Sequence, residues 1–349
     1  MLTVGIDAHH RLYVVCVLDP GGGVLREFSV RGGVADLAWR LRELAAELGG
    51  PLQVGFEAST GYGLLHDTLA PLASRVVVAH PGKLRLIFRA KRKTDRIDAR
   101  KLARLLLLGE LPAVHVPGLE VREWRALIEH RKMLVDKRVR AKNGLRALLR
   151  AHGLEAPRGK SLWTRAGRAW AAALEFASPL TAFKRDQLLA EIEHFDAAVA
   201  LAERRLDAFA RTRPEVTLLR TIPGVGARTA EGVAAYVDRA ARFGRTRDAA
   251  AYFGLVPSLD ESAGRGRVGR ITREGPATVR KLLTEAAWQG IRRSPSLRGF
   301  YERVRGDRKD RKGPALVATA RHLVKVMVAM LKSGQPWREN AVTGPAAAA

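Results

Sequence analysis

Four carboxylates stand where acids are costly unless they serve a purpose. Asp7 closes the apolar run 2–6, and Glu57 closes the apolar run 52–56. Asp95 and Asp98 lie three apart in Lys93-Thr94-Asp95-Arg96-Ile97-Asp98-Ala99-Arg100-Lys101, which reads as a helix start, so both fall on one helical face. A carboxylate at the end of a buried strand loses hydration and needs a positive partner. Any one of the four could be a strand-end cap or half of a salt bridge. All four together, in a chain of net charge +26, fit a divalent-metal site for phosphodiester chemistry better.

The elements that must bring these acids together are legible in outline. Runs 2–6, 12–18 and 24–30 are apolar or β-branched, and Gly21-Gly22-Gly23 marks a hairpin turn between the second and third. Leu37, Leu41, Leu44 and Leu48 switch to helical spacing and stop at Gly49-Gly50. A strand at 52–56, a helix near 61–72 and a strand at 75–79 follow. The order βββαβαβ is the ribonuclease H-like arrangement, in which the first and fourth strands are neighbours. That adjacency would bring Asp7 and Glu57 side by side.

Beyond this α/β region the chain reads as all-α. Residues 117–155 and 180–212 carry long helical patterns that could pair as an antiparallel arm or form a coiled coil between copies; 156–170, with Pro157, Gly159 and Gly167, looks like their connection. The expected organisation is 1–116, an α/β metal-binding domain; 117–213, a helical or coiled-coil region; 214–335, a mostly helical domain; and 336–349, a disordered tail.

Charge says which partners to expect. There are 61 basic against 35 acidic residues, and the excess is clustered: 83–104 holds ten Lys/Arg against two acids, which are Asp95 and Asp98, and 121–150 holds ten against three. Polyanions are the expected partners, through backbone phosphates rather than base stacking, because aromatics make up only 6%. Candidate contacts are Lys93, Arg96 and Arg100 in the first cluster and Arg138, Arg140 and Lys142 in the second. The lone Cys16 excludes a disulfide or cysteine-zinc framework and suits a reducing compartment. No secretory signal precedes Asp7, so a cytoplasmic location is expected. The apolar stretch 316–331 is interrupted by Arg321, His322 and Lys325, which makes it an amphipathic helix and not a membrane span.

The C-terminal half carries two further motifs. Thr221-Ile222-Pro223-Gly224-Val225-Gly226-Ala227-Arg228-Thr229-Ala230 has the form of a helix-hairpin-helix turn, whose Gly224 and Gly226 could let a phosphate reach the next helix N-terminus; a tight turn between packed helices would look the same. Next, Leu259-Asp260-Glu261-Ser262-Ala263-Gly264-Arg265-Gly266-Arg267 reads as a glycine- and arginine-rich loop around Ser262. Arg265, Arg267, Arg270 and Arg273 are natural phosphate ligands there.

With these residues in view, the chain resembles transposases of the insertion sequence 110 family, the RuvC-like DEDD recombinases, over nearly its whole length. Gly5-Ile6-Asp7, Phe56-Glu57-Ala58-Ser59-Thr60-Gly61-Tyr62 and Lys93-Thr94-Asp95-Arg96-Ile97-Asp98-Ala99 resemble the three N-terminal motifs of that family. Ile222-Pro223-Gly224-Val225-Gly226, Tyr252-Phe253-Gly254-Leu255-Val256-Pro257 and Gly269-Arg270-Ile271-Thr272 resemble its C-terminal transposase domain, in the expected order.

The resemblance implies a RuvC-like domain holding Mg2+ (or Mn2+) through Asp7, Glu57, Asp95 and Asp98, and a second domain supplying a nucleophilic serine. It also implies a structured guide RNA that pairs with donor and target DNA, and a homo-oligomer on DNA. The family serine sits in a Ser-Gly context; here the match is Ser262-Ala263-Gly264, and the intervening alanine leaves Ser258 as the alternative nucleophile. A Holliday-junction nuclease using metal-activated water, or an idle nucleic-acid binder, are the competing readings. A DEDD exonuclease fits less well, since its second acid is replaced by His9.

Each duplex phosphate neutralised contributes roughly −0.9 to the log–log salt slope of binding, so replacing Arg138, Arg140 and Lys142 together is expected to flatten that slope by about two to three. A salt titration of DNA binding checks this, and an unchanged slope would show that this face is merely solvated.

Overall fold

The computed structural model describes residues 1–87, 94–156, 161–262 and 265–339, with backbone only at 260–262, 265–268 and 309. Lys93, Pro157, Gly159, Ala263, Gly264 and the end of the expected tail, 340–349, lie outside the described residues. By contact density the chain divides into two units, Met1–Leu119 and Glu120–Ala349.

The first unit is a five-stranded mixed sheet with helices on both faces. Its elements are β1 (Leu2–Ala8), β2 (Leu12–Leu18), β3 (Val24–Arg31), α1 (Val34–Leu48), β4 (Leu52–Glu57), α2 (Tyr62–Leu69), β5 (Arg75–Ala79), α3 (Pro81–Ile87) and α4 (Asp95–Leu107). The strand order is β3-β2-β1-β4-β5. β1 pairs antiparallel with β2 and parallel with β4, so the expected adjacency of first and fourth strands holds. Strand alternation sends Val4, Ile6, Val54 and Phe56 to one face, where they bury against Leu37, Leu41 and Leu44 of α1 and Leu65 and Leu69 of α2.

The opposite face is narrower in side-chain volume, and α4 uses the space. Gly5 and Gly55 are direct partners across β1 and β4. A Cβ at Gly5 would stand 2.2 Å from the Ala99 carbonyl oxygen and 2.4 Å from the Ala103 amide nitrogen, so the backbone of α4 lies directly on the strand. Leu102 and Leu106 of α4 pack with Val77 and Ala79, while Ala99 and Ala103 pack with Val14, Cys16 and Leu18. Thr94 caps the helix by accepting from the Ile97 amide at 3.3 Å. Arg100 grips Glu27 of β3 through two hydrogen bonds of 2.9 Å, which ties α4 across the sheet.

The second unit is helical apart from one hairpin. It contains α5 (Leu119–Ala151), α6 (Arg165–Ala172), α7 (Pro179–Ala210), α8 (Pro214–Leu219), α9 (Ala227–Val237), α10 (Thr246–Tyr252), β6 (Pro257–Ser262), β7 (Arg265–Ile271), α11 (Ala277–Arg293), α12 (Pro295–Arg305) and α13 (Lys312–Ser333). α5 and α7 run antiparallel against each other within the chain: Leu134 meets Val199 and Ala202, and Leu145 meets Ile192. Arg131–Glu203 and Arg138–Asp196 ion pairs flank that seam. The remaining helices surround a core that includes Val233, Phe253, Leu283, Leu323 and Met327, with Trp124 of α5 and Leu206 of α7 joining it. α13 is long and apolar enough to cross a membrane by composition. Here its Ala320, Leu323, Val324, Met327 and Val328 are fully buried in that core, and Arg321 and Lys325 keep to its outer face.

Three elements depart from the sequence reading. Residues 81–87 form α3, a short helix that proline starts and no longer pattern announces. The expected connection 156–170 contains the start of α6, capped by Thr164, which accepts from the Gly167 amide at 3.1 Å. The expected loop around Ser262 is instead a two-stranded hairpin whose register runs from Pro257↔Ile271 to Ser262↔Arg265. Its glycines and arginines hide a β pattern, because in a two-stranded hairpin the backbone ladder supplies the pairing. Residues 336–339 are tied down: the Trp337 amide donates to Thr221 Oγ1 at 3.0 Å, and Glu339 accepts from the Ser296 hydroxyl at 2.7 Å.

Gly5→Ala is expected to lower stability by about 1–3 kcal/mol, because backbone rather than a movable side chain must yield. Gly118→Ala, where a new methyl meets nothing within 4 Å, is the control and should stay within about 0.5 kcal/mol of the parent. Urea unfolding of both variants measures the difference.

Candidate active site and nucleic-acid contacts

Asp7 and Glu57 sit two residues beyond Gly5 and Gly55 on their strands, so both share the face on which α4 lies. The close seat of α4 at Ala99 brings its first turn, with Asp95 and Asp98, to that same strand end. The positive end of the helix dipole favours carboxylates in this turn. Asp7 and Asp95 reach one another through His9: its Nε2 lies 3.5 Å from an oxygen of each. Ligand atoms of Asp7, His9 and Asp95 all fall within 4.8 Å of one another. Glu57 and Asp98 are not members of this group. Glu57 is exposed. The Asp98 side chain is 15% exposed, with Lys101 Nζ at 3.9 Å.

His9 is the candidate ligand that sequence reasoning passed over. The available signal was its place two residues after Asp7, just past the end of β1. The sequence reading counted it only as a missing acid. Two carboxylates and an imidazole form a donor set that suits a hard or borderline divalent cation such as manganese.

The basic candidates divide by what they touch. Arg96 and Arg140 are exposed. Arg100 is held by Glu27. Arg138 pairs with Asp196, which Arg168 also contacts. Lys142 lies 5.0 Å from the Trp163 ring and Arg146 4.9 Å from it, an aromatic–cation stack that the sequence did not announce. Burial, joined by Arg138, Arg168 and Arg146, holds the Lys142 ammonium below its ordinary range, although Asp196 opposes the shift.

In the turn between α8 and α9 the two glycines differ. Gly224 has φ +89°, and a Cβ there would stand 2.4 Å from the Gly290 amide of α11, so packing alone requires glycine. Gly226 is the N-cap of α9 and meets nothing within 4 Å.

In the hairpin, Ser258 is engaged: its hydroxyl donates to the Arg270 carbonyl at 3.1 Å. Ser262 forms the last backbone pair before the tip, opposite Arg265. The side chains of Ser262, Arg265 and Arg267 lie outside the described residues. Arg270 and Arg273 are exposed, and Arg273 holds φ 56°, a left-handed conformation that costs a non-glycine residue energy.

Two family models match the chain in the order of its units. A transposase model for DEDD proteins of the IS110 type covers residues 4–153, and a model of the IS116/IS110/IS902 transposase family covers 216–302. A Sinorhizobium fredii protein named as transposase y4qE is 30% identical over 295 residues, spanning 82% of this chain and 70% of the relative. The chain belongs to the IS110 family of transposases. The transposase for insertion sequence element IS1111A of Coxiella burnetii is 26% identical over 288 residues, covering 81% of this chain and 76% of its own. As a transposase the protein cleaves and rejoins DNA, and its first unit is a ribonuclease H-like DEDD domain. A divalent metal is the cofactor that such a domain implies, and the cluster of Asp7, His9 and Asp95 has the donors to hold one.

If Asp98 joins Asp7 and Asp95 as a ligand, Asp98→Asn is expected to lose DNA cleavage while retaining DNA binding, since one lost anionic ligand weakens a divalent cation far more than it weakens phosphate contacts. His9→Ala is expected to weaken Mn2+ binding, read by electron paramagnetic resonance of the free protein. Parental cleavage by Asp98→Asn would remove that residue from the site.

Proposed function

We propose that this transposase breaks and rejoins DNA through a covalent phosphoserine, with Mg2+ held by Asp7, Glu57, Asp95 and Asp98 and assisted by His9. The observation that carries the reading is the cluster of Asp7, His9 and Asp95, with Glu57 ending the strand paired to β1 and Asp98 in the first turn of the helix that carries Asp95. When bound, the cation would polarise the scissile phosphate and offset charge on the transferring oxygens. Ser262 Oγ forms a bond to phosphorus as the bond from phosphorus to the leaving nucleotide oxygen breaks. The serine proton is lost to solvent and the leaving oxygen gains one. Rejoining reverses the step, so the phosphodiester energy is conserved in the protein–DNA bond. Arg265 and Arg267 flank the serine in sequence and would neutralise the phosphate.

The engaged hydroxyl of Ser258 supports Ser262 as the nucleophile, because Ser258 would have to abandon its bond to the Arg270 carbonyl first. In this reading 1–116 is the metal domain and 117–213 an antiparallel coiled-coil arm. Residues 214–335 form the transposase domain, with a helix-hairpin-helix at α8–α9 that meets DNA phosphate through Gly226, followed by the tail 336–349. Family resemblance supports a structured guide RNA pairing with donor and target DNA, a homo-oligomer assembled on DNA, and action in the cytoplasm.

Mass spectrometry of protein trapped on cleaved cognate DNA tests the mechanism. An adduct on the peptide containing Ser262 is expected, and it should vanish in Ser262→Ala while persisting in Ser258→Ala. The reverse pattern assigns the role to Ser258. Continued recombination by both single variants would overturn the serine mechanism and favour metal-activated water.

A further inference from the structure

Within the second unit, three arginines border one cavity and have no assigned task. Arg204 and Arg211 come from the end of α7 and the residue that caps it, and Arg220 follows α8. All three are exposed, and among the described residues none of their guanidinium groups has a hydrogen-bond, ion-pair or ring partner. Other arginines of the unit are engaged: Arg125 and Arg242 bond main-chain carbonyls, and Arg131 and Arg138 pair with acids. The cavity they line measures about 610 Å³ and also borders Thr217 and the first residue of α9, Ala227.

The acids in the lining do not cancel the arginines. Asp207 is already paired with Arg228. Glu231 is fully buried, and one of its carboxylate oxygens lies 3.0 Å from Arg228 Nη1, so it too is paired with that arginine. Burial pushes its pKa up to about 7, so near neutral pH it carries only part of a charge. A guanidinium left unpaired beside a concave surface is poised for a planar, multiply accepting anion. Three of them on a cavity of this size suit successive phosphates of a strand better than a single small anion.

We infer that the cavity bordered by Arg204, Arg211 and Arg220 is a binding site for the phosphodiester backbone of a nucleic acid. It borders α8 and the start of α9, so it rests on the reading of that turn as a phosphate contact and adds the residues that would hold the strand there, and it does not depend on the phosphoserine mechanism. Its contact is sequence-independent, because guanidinium groups meeting phosphate oxygens read no base edges.

The test uses the full-length protein with Arg204, Arg211 and Arg220 changed to Gln, binding either a fluorescein-labelled DNA duplex or a labelled RNA hairpin across a salt series. On the duplex, each lost contact should flatten the log–log slope by about 0.9 and weaken binding on the order of tenfold at 0.1 M salt. Flattening with the duplex alone identifies DNA as the occupant, flattening with the hairpin alone identifies RNA, and flattening with both shows a shared backbone site. Because the three side chains are exposed, the melting temperature should not move. If it does, Arg211→Gln alone is measured in the same way and should show one contact's loss. Unchanged slope and affinity with both polymers, in a variant that melts like the parent, would overturn the site.

Discussion

Everything in the first unit depends on how closely α4 can approach the sheet. The helix backbone lies against Gly5, at a distance that excludes even a methyl group. That contact sets the height of Asp95 and Asp98 above the strand that carries Asp7. Gly55, its partner on β4, keeps the neighbouring surface low under Leu106 and Leu111, and Glu57 follows two residues on. The Arg100–Glu27 pair and the Thr94 cap then fix the rotation and the start of the helix. Acids placed this way are held by rigid elements, as catalytic geometry requires.

The second unit shows why a count of positive charge overstates the surface offered to nucleic acid. Arg125 donates to the Ala235 and Tyr236 carbonyls, and Arg242 donates to those of Val237 and Tyr236, so two arginines close the C-terminal end of α9. Arg280 does the same for Phe253 and Glu274 beneath the hairpin. Arg131 and Arg138 hold α5 to α7. These side chains satisfy carbonyls and acids that folding would otherwise strand. The arginines left over, including Arg140, Arg204, Arg211, Arg220 and Arg270, are the ones whose charge is available to phosphate.

Much of the fold was legible because strand and helix patterns are local. The runs ending at Asp7 and Glu57, the leucine spacing of α1 and the two long arm helices all follow from the alternation or the 3.6-residue period of neighbouring residues. Elements whose stability comes from elsewhere were not legible. α3 and α6 are short and lean on their surroundings, and the β6–β7 hairpin is held by its backbone ladder in a stretch whose composition reads as loop. The candidate cluster was legible to the same degree: its acids Asp7 and Asp95 could be named, but His9 was counted only as an absent acid.

By itself the sequence determined the βββαβαβ order that opens the chain, the adjacency of β1 and β4 that topology demands, the four carboxylates and the polyanionic character of the partner. Tertiary structure alone decided that His9 stands between Asp7 and Asp95, that Gly224 serves packing while Gly226 stays open, and that Ser258 is already engaged. It also decided which arginines are consumed internally. The physical reason is the same in each case. Periodicity reports which face of an element is apolar, whereas the partner of a polar side chain is set by groups distant in the chain, whose approach depends on how closely two backbones can pack.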